Sequence, residues 1–112
     1  MNNYRVSIKD YTDYLVFLRK SIFKILPLYE ENNKYLIEYI DDAIIDVMYV
    51  KDIIEELPYG AWYVQTLDSL KVLRDEVTKE NNHKKIKKRV LSTGNLMIQQ
   101  LKLINENFNE KE

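Results

Sequence analysis

Apolar residues recur at alternating intervals of three and four along nearly the whole chain, and this rhythm fixes its structural class. Ile8, Tyr11, Leu15, Leu18, Ile22, Ile25 and Tyr29 form the first series. Side chains at that spacing share one face of an α-helix but scatter over both faces of a strand, so the series predicts a helix packed along its length. Tyr14 and Phe17 widen its buried stripe. Ser7 stands ahead of it with Asp10 three residues on, a capping-box-like start with Asp in place of Glu. Pro27 lacks a backbone donor, which predicts an end near Leu26 or a kink, with the chain leaving the helix by Asn32 and Asn33.

The second series, Leu36, Ile40, Ala43, Val47, Val50, Ile54 and Leu57, predicts a helix over 34–57 that the run Leu57-Pro58-Tyr59-Gly60 stops. A third helix is predicted over 61–80, burying Tyr63, Leu67, Leu70, Leu73 and Val77 with Trp62 at its start, and Asn81-Asn82 ends it. The fourth, over 83–107, carries Ile86, Val90, Thr93, Met97, Leu101, Ile104 and Phe108. Gly94 interrupts it without changing the phase of the stripe, which favours a continuous helix with a close-packing or weak point over a loop. Four amphipathic helices of about 20 residues joined by short connections predict an all-α fold. The expected arrangement is an antiparallel up-down four-helix bundle, with residues 1–112 forming a single domain.

Composition removes most catalytic classes. The chain has no Cys, two Gly and one His. Thiol nucleophiles, disulfides and zinc-thiolate sites are therefore excluded, as are the glycine-rich loops that cradle phosphates. His83 and Glu80 have the Glu-x-x-His spacing of di-iron bundles, but such sites need a second copy of the motif. Glu38/Asp41 and Asp52/Glu55 have the three-residue spacing of Mg²⁺-binding acid pairs. They lie on one helix, about 20 Å apart at about 1.5 Å per residue, and cannot share an ion within one bundle. The four serines have no second histidine and no elbow glycines. The expectation is a non-enzyme with no cofactor and no metal. Tyr59, Trp62 and Tyr63 form the densest aromatic group, either capping the core or lining a groove.

No apolar run is long enough for a membrane span, because Arg19, Lys20 and Lys24 interrupt the best stretch. The opening Met-Asn-Asn-Tyr-Arg lacks the pattern of a signal peptide, so a cytoplasmic protein is expected. Lys, Asn, Ile and Tyr are abundant and Ala is scarce, which points to an AT-rich bacterial or phage gene.

The balance of 17 basic and 18 acidic residues conceals two opposed blocks. Residues 30–56 hold nine acids and two bases, a net −7, and residues 71–102 hold nine bases and three acids, a net +6. Charge asymmetry of this size bears on partners rather than on fold. On a wheel of the second helix, the arc opposite the core seam carries Glu38, Asp41, Asp42, Asp52 and Glu56, with Ile45 and Tyr49 at its centre. Apolar area ringed by carboxylates suits a protein partner with a basic surface: the aromatic anchors and the acids steer. The alternatives are a solvated face, packing on the first helix, or a homodimer interface. The basic residues Lys84, Lys85, Lys87, Lys88 and Arg89 point in nearly every direction around the start of the fourth helix, where the macrodipole disfavours cations. A nearby anion or acidic segment could compensate them. Without interleaved aromatics they make a poor nucleic-acid site, although nucleic-acid binding through them stays open.

The stretch Ser7-Ile8-Lys9-Asp10-Tyr11-Thr12, followed by Phe17-Leu18, resembles the start of the small helical immunity proteins that neutralise nuclease colicins. The resemblance covers 12 of 112 residues. It implies an acidic, tyrosine-bearing surface that blocks a basic nuclease. The tyrosine-tyrosine-proline short helix of that family has no counterpart here, since Leu57 precedes Pro58, and the second and fourth helices are much longer. The functional expectation is thus a protein-binding bundle, of immunity or inhibitor type, using Glu38, Asp41, Asp42, Ile45, Tyr49, Asp52 and Glu56.

Overall fold

The computed structural model describes residues 8–54, 62–80 and 82–109. Their elements are α1 (Ile8–Phe23), α2 (Ile25–Glu30), α3 (Leu36–Ile54), α4 (Trp62–Asp75), a π-helical turn (Glu76–Glu80) and α5 (His83–Asn109). The described residues are helical throughout apart from short connections, and contain no strand. None of these helices is long and apolar enough to cross a membrane. Four long helices pack together: α1 lies chiefly against α5, α3 against α4, and α4 against α5, while α2 bridges α3 and α5.

The first stripe is realised over its middle, from Tyr11 to Ile25, while Tyr29 is half-buried and the side chain of Ile8 lies outside the described residues. Tyr11, Leu15, Leu18, Ile22 and Ile25 are all at most 1% exposed, and each fully buried side chain of this size contributes about 1.5–3 kcal/mol relative to exposure. Phe17 departs from the expectation, standing exposed beside the stripe it was expected to widen. Ser7, the expected cap, lies outside the described residues.

Pro27 kinks this helix rather than ending it. Its missing N–H would have bonded the carbonyl of Phe23, where α1 ends. The ladder resumes on either side, with Lys24 N donating to Lys20 O (3.1 Å) and Leu28 N to Lys24 O (3.2 Å). The end of α2 is closed by Asn33 N on Leu28 O (3.1 Å) and Asn32 N on Tyr29 O (3.0 Å). This is a Schellman closure, with Asn32 at φ 59° in the left-handed position that Asn tolerates better than most residues. Asn33 Oδ1 then accepts from Tyr35 N (2.9 Å), turning the chain into α3.

In α4 the buried stripe is rotated from the expected one. Trp62, Thr66, Leu70, Leu73 and Glu76 are buried, whereas Tyr63, Leu67 and Val77 are only half-buried. Two interactions account for the rotation. Trp62 is drawn inward against Tyr11 and Tyr14, with ring centroids 6.4 and 6.5 Å apart. The π turn widens the spacing at the other end and carries Glu76 inward toward Arg89. Midway, the Ser69 and Thr93 hydroxyls are hydrogen-bonded across the α4–α5 interface. Thr93 Oγ1 donates to Arg89 O (2.7 Å), so Ser69 supplies the proton between the two hydroxyls.

α5 runs unbroken through Gly94. A methyl group there would overlap the edge of the Phe23 ring, so the missing side chain is what lets the last turn of α1 lie against α5. The expected result is that Gly94→Ala destabilises the protein by about 1–3 kcal/mol through overpacking. In a Phe23→Ala background the same change should instead stabilise, by about 0.5–1 kcal/mol, since alanine is the better helix former. Denaturant melts of the four proteins in this cycle check it, and a Gly94→Ala effect of the same sign in both backgrounds would refute the contact.

At one end of the core, Tyr11 Oη, Trp62 Nε1 and Thr66 Oγ1 are buried with no hydrogen-bond partner. Burial away from water pushes the Tyr11 hydroxyl up to about 12, with the neighbouring Trp62 and Gln100 side chains pulling the other way. Because the folded value exceeds the unfolded one of 10, its contribution to stability is complete below pH 10 and is lost as pH rises toward 12. Tyr11→Phe should therefore flatten the fall in melting temperature between pH 10 and 12. At pH 7 it should cost under about 1 kcal/mol, because no hydrogen bond is broken.

Candidate protein-binding surface

The outward face of α3 begins with a helix whose inward positions are Leu36, Ile40, Ala43, Ile44 and Val47. With those side chains in the core, helical geometry turns Glu38, Asp42, Ile45 and Tyr49 outward along one line. Glu38 and Asp42 are exposed, Ile45 is 54% exposed and Tyr49 79% exposed. Ile45 and Tyr49 therefore do not pack on α1, one of the alternatives left open by the wheel. Neither Glu38 nor Asp42 takes part in an ion pair among the described residues.

Asp41 belongs to a different environment. Arg74 of α4 grips its carboxylate with two nitrogens, Nε to Oδ1 and Nη2 to Oδ2, the latter at 3.2 Å. The hydrogen bond and charge of Asp41 in turn raise the Arg74 guanidinium above its ordinary value. Asp41 thus holds α3 to α4 and marks the edge of the exposed face. Asp52 falls within α3, but its side chain lies outside the described residues, as does all of Glu56.

Two residues enlarge the face beyond the set read from sequence. Met48, 52% exposed, sits one turn beyond Ile45. Phe17, 59% exposed, stands on α1 across a groove of about 310 Å³. Phe17, Leu18 and Ser21 line this groove from α1, and Tyr39, Asp42, Ala43 and Asp46 from α3. Its walls are pinned together: Tyr39 donates to Ser21 O (2.9 Å) and Tyr14 to Asp46 Oδ2 (3.4 Å). Burial, then the charge of Asp46 and the hydrogen bond to it, raise the Tyr14 hydroxyl well above its usual range, which keeps it a proton donor. Periodicity placed Phe17 in the buried stripe and singled out nothing at Met48. Phe17 lies at the margin of the α1 stripe, where either fate satisfies the spacing.

The other candidates resolve into structural roles. No group of His, Asp and Glu among the described residues is placed to hold a metal ion. His83 Nε2 meets Glu30 Oε2 at 2.8 Å and its ring stacks on Tyr29 at 6.0 Å, tying the end of α2 to the start of α5. Trp62 is core and Tyr63 half-buried, while Tyr59 lies outside the described residues. In the basic cluster, Ile86 is buried and Lys84, Lys85, Lys87 and Lys88 are exposed. Asn82 Oδ1 caps the helix by accepting from Lys85 N (3.1 Å). Arg89 is withdrawn onto Glu76, Nε to Oε1 and Nη2 to Oε2, both 3.2 Å. Arg89 is thus offset by Glu76 of the π turn, while Glu30 of α2 meets the His83 ring.

No protein-family model matches the chain, and comparison with curated proteins and with solved structures finds no significant match.

Glu76 is 6% exposed and Arg89 is its hydrogen-bonding partner. Glu76→Gln should therefore lower stability by about 1–3 kcal/mol, the cost of breaking a charged hydrogen bond while leaving its half-exposed partner access to water. Chemical denaturation at pH 7 measures this, and an unchanged midpoint would show that the pair contributes nothing.

Proposed function

We propose that this protein acts by binding another protein through the outward face of α3, with no chemistry of its own. The observation that carries the reading is Tyr49, 79% exposed, in line with exposed Ile45 and beside Met48, on a face whose carboxylates Glu38 and Asp42 have no partner within the described residues. Exposed aromatic and aliphatic side chains supply anchoring area, and unpaired acids steer and orient a basic surface. The groove beside Phe17 extends the anchoring area onto α1.

On this reading the chain is a single-domain antiparallel up-down bundle, in which α1 and α2 together count as one helix, working in the cytoplasm. Its partner is a basic protein such as a nuclease or toxin, and its role that of an immunity or inhibitor factor. What supports the role is the acidic, tyrosine-bearing face itself, with Tyr49 exposed in line with Glu38 and Asp42.

Affinity capture from the native host tests the site. A partner retained by the wild-type protein should be recovered at about one tenth of that level or less with Tyr49→Ala/Asp42→Lys, the loss expected for an aromatic anchor and a steering charge together. Equal recovery by both proteins would sink this face as the binding site.

A further inference from the structure

Two outward helix faces of this molecule share one plan with opposite charge. On α3, Glu38, Asp42 and Ile45 follow one another at intervals of four and three; on α5, Lys84, Lys88 and Leu91 do the same. Leu91 is 44% exposed and Ile45 54%. Lys84 and Lys88 are exposed and, like Glu38 and Asp42, have no ion pair among the described residues. Within one molecule these faces do not meet: α3 packs on α4 and α1, α5 packs on α4 and α1, and α3 and α5 share no substantial contact.

We infer that the α3 face takes the α5 face of a second copy of this chain. Intervals of four and three are the spacing of a coiled-coil seam, and two such seams laid side by side in the same direction bring equivalent positions together. In that register Glu38 meets Lys84, Asp42 meets Lys88 and Ile45 meets Leu91, so both charges and the apolar position find their complements at once. Sliding either helix by one step sets an acid against the leucine or a lysine against the isoleucine. The contact joins two different surfaces, so each molecule keeps one free acceptor face and one free donor face. A single such contact is head to tail, and repeated it builds rings or open chains. The inference rests on the availability of the α3 face proposed above, and a foreign partner and a second copy compete for it.

Sedimentation velocity of the full chain at about 20 mM and about 500 mM salt tests it, since screening shortens from about 20 Å to about 4 Å over that range. The wild-type average mass should rise with concentration beyond the dimer at low salt and return to the monomer at high salt. Glu38→Lys/Asp42→Lys and Lys84→Glu/Lys88→Glu should each weaken association at least about tenfold when alone. An equimolar mixture of the two should associate again, because each then offers the other a matched pair of faces. A wild type that stays monomeric at low salt, a mixture that stays monomeric, or association that survives Lys84→Glu/Lys88→Glu would each overturn the inference. The last variant leaves α3 intact and should capture a foreign partner as wild type does. Partner capture without self-association overturns this inference alone, and self-association without partner capture overturns the foreign-partner reading alone.

Discussion

The approach of α1 to α5 at Gly94 sets the geometry on which the remaining elements depend. Phe23 occupies the space that any side chain at position 94 would fill, and it is the last residue of α1 before the Pro27 kink. Close contact there lets a long buried stripe on α1 meet the stripe of α5. The kink then swings α2 across so that Glu30 reaches His83 and Tyr29 covers its ring. With α1, α2 and α5 fixed in this way, the Asn32–Asn33 closure delivers the chain into α3 with a defined rotation. That rotation decides which of its side chains face solvent.

Much of this was legible in the sequence, for a physical reason: a regular alternation of three and four leaves a helix only one face to bury. The α1 stripe, the continuity of α5 and the outward line of Glu38, Asp42, Ile45 and Tyr49 all follow from that rule. The rule weakens where polar interactions compete with apolar burial. In α4 and the π turn that follows it, Thr66 and Glu76 are buried and Leu67 and Val77 are only half-buried, because Trp62 and the Glu76–Arg89 pair turn the helix away from its most apolar face. Phe17 and Met48 escaped detection because stripe-edge residues satisfy the spacing whether covered or not. The fate of Asp41 was also invisible, since pairing with Arg74 joins residues 33 positions apart.

The opposed charge blocks have two distinct uses. One part is consumed inside the molecule: Asp41 with Arg74 joins α3 to α4, and Glu76 with Arg89 joins the π turn to α5. The remainder is left at the margins, acidic on α3 and basic on α5. Internal pairing thus sharpens the surface pattern. It takes up charges lying near helix–helix contacts and leaves Glu38 and Asp42 on α3 and Lys84 and Lys88 on α5 without an ion pair among the described residues.

The π turn at Glu76–Glu80 carries one consequence for how the chain tolerates change in length. A π turn accommodates an extra residue within a helix. Excising one residue there would restore ordinary helical spacing and leave the positions beyond the cut facing nearly as they do now, because the widened turn is what absorbs the extra residue. The Asn82 cap would keep its side of the molecule, and Trp62, Thr66, Leu70 and Leu73 would keep their places. An ordinary α-helical stretch has no such slack: removing one residue from it turns everything beyond by about 100°.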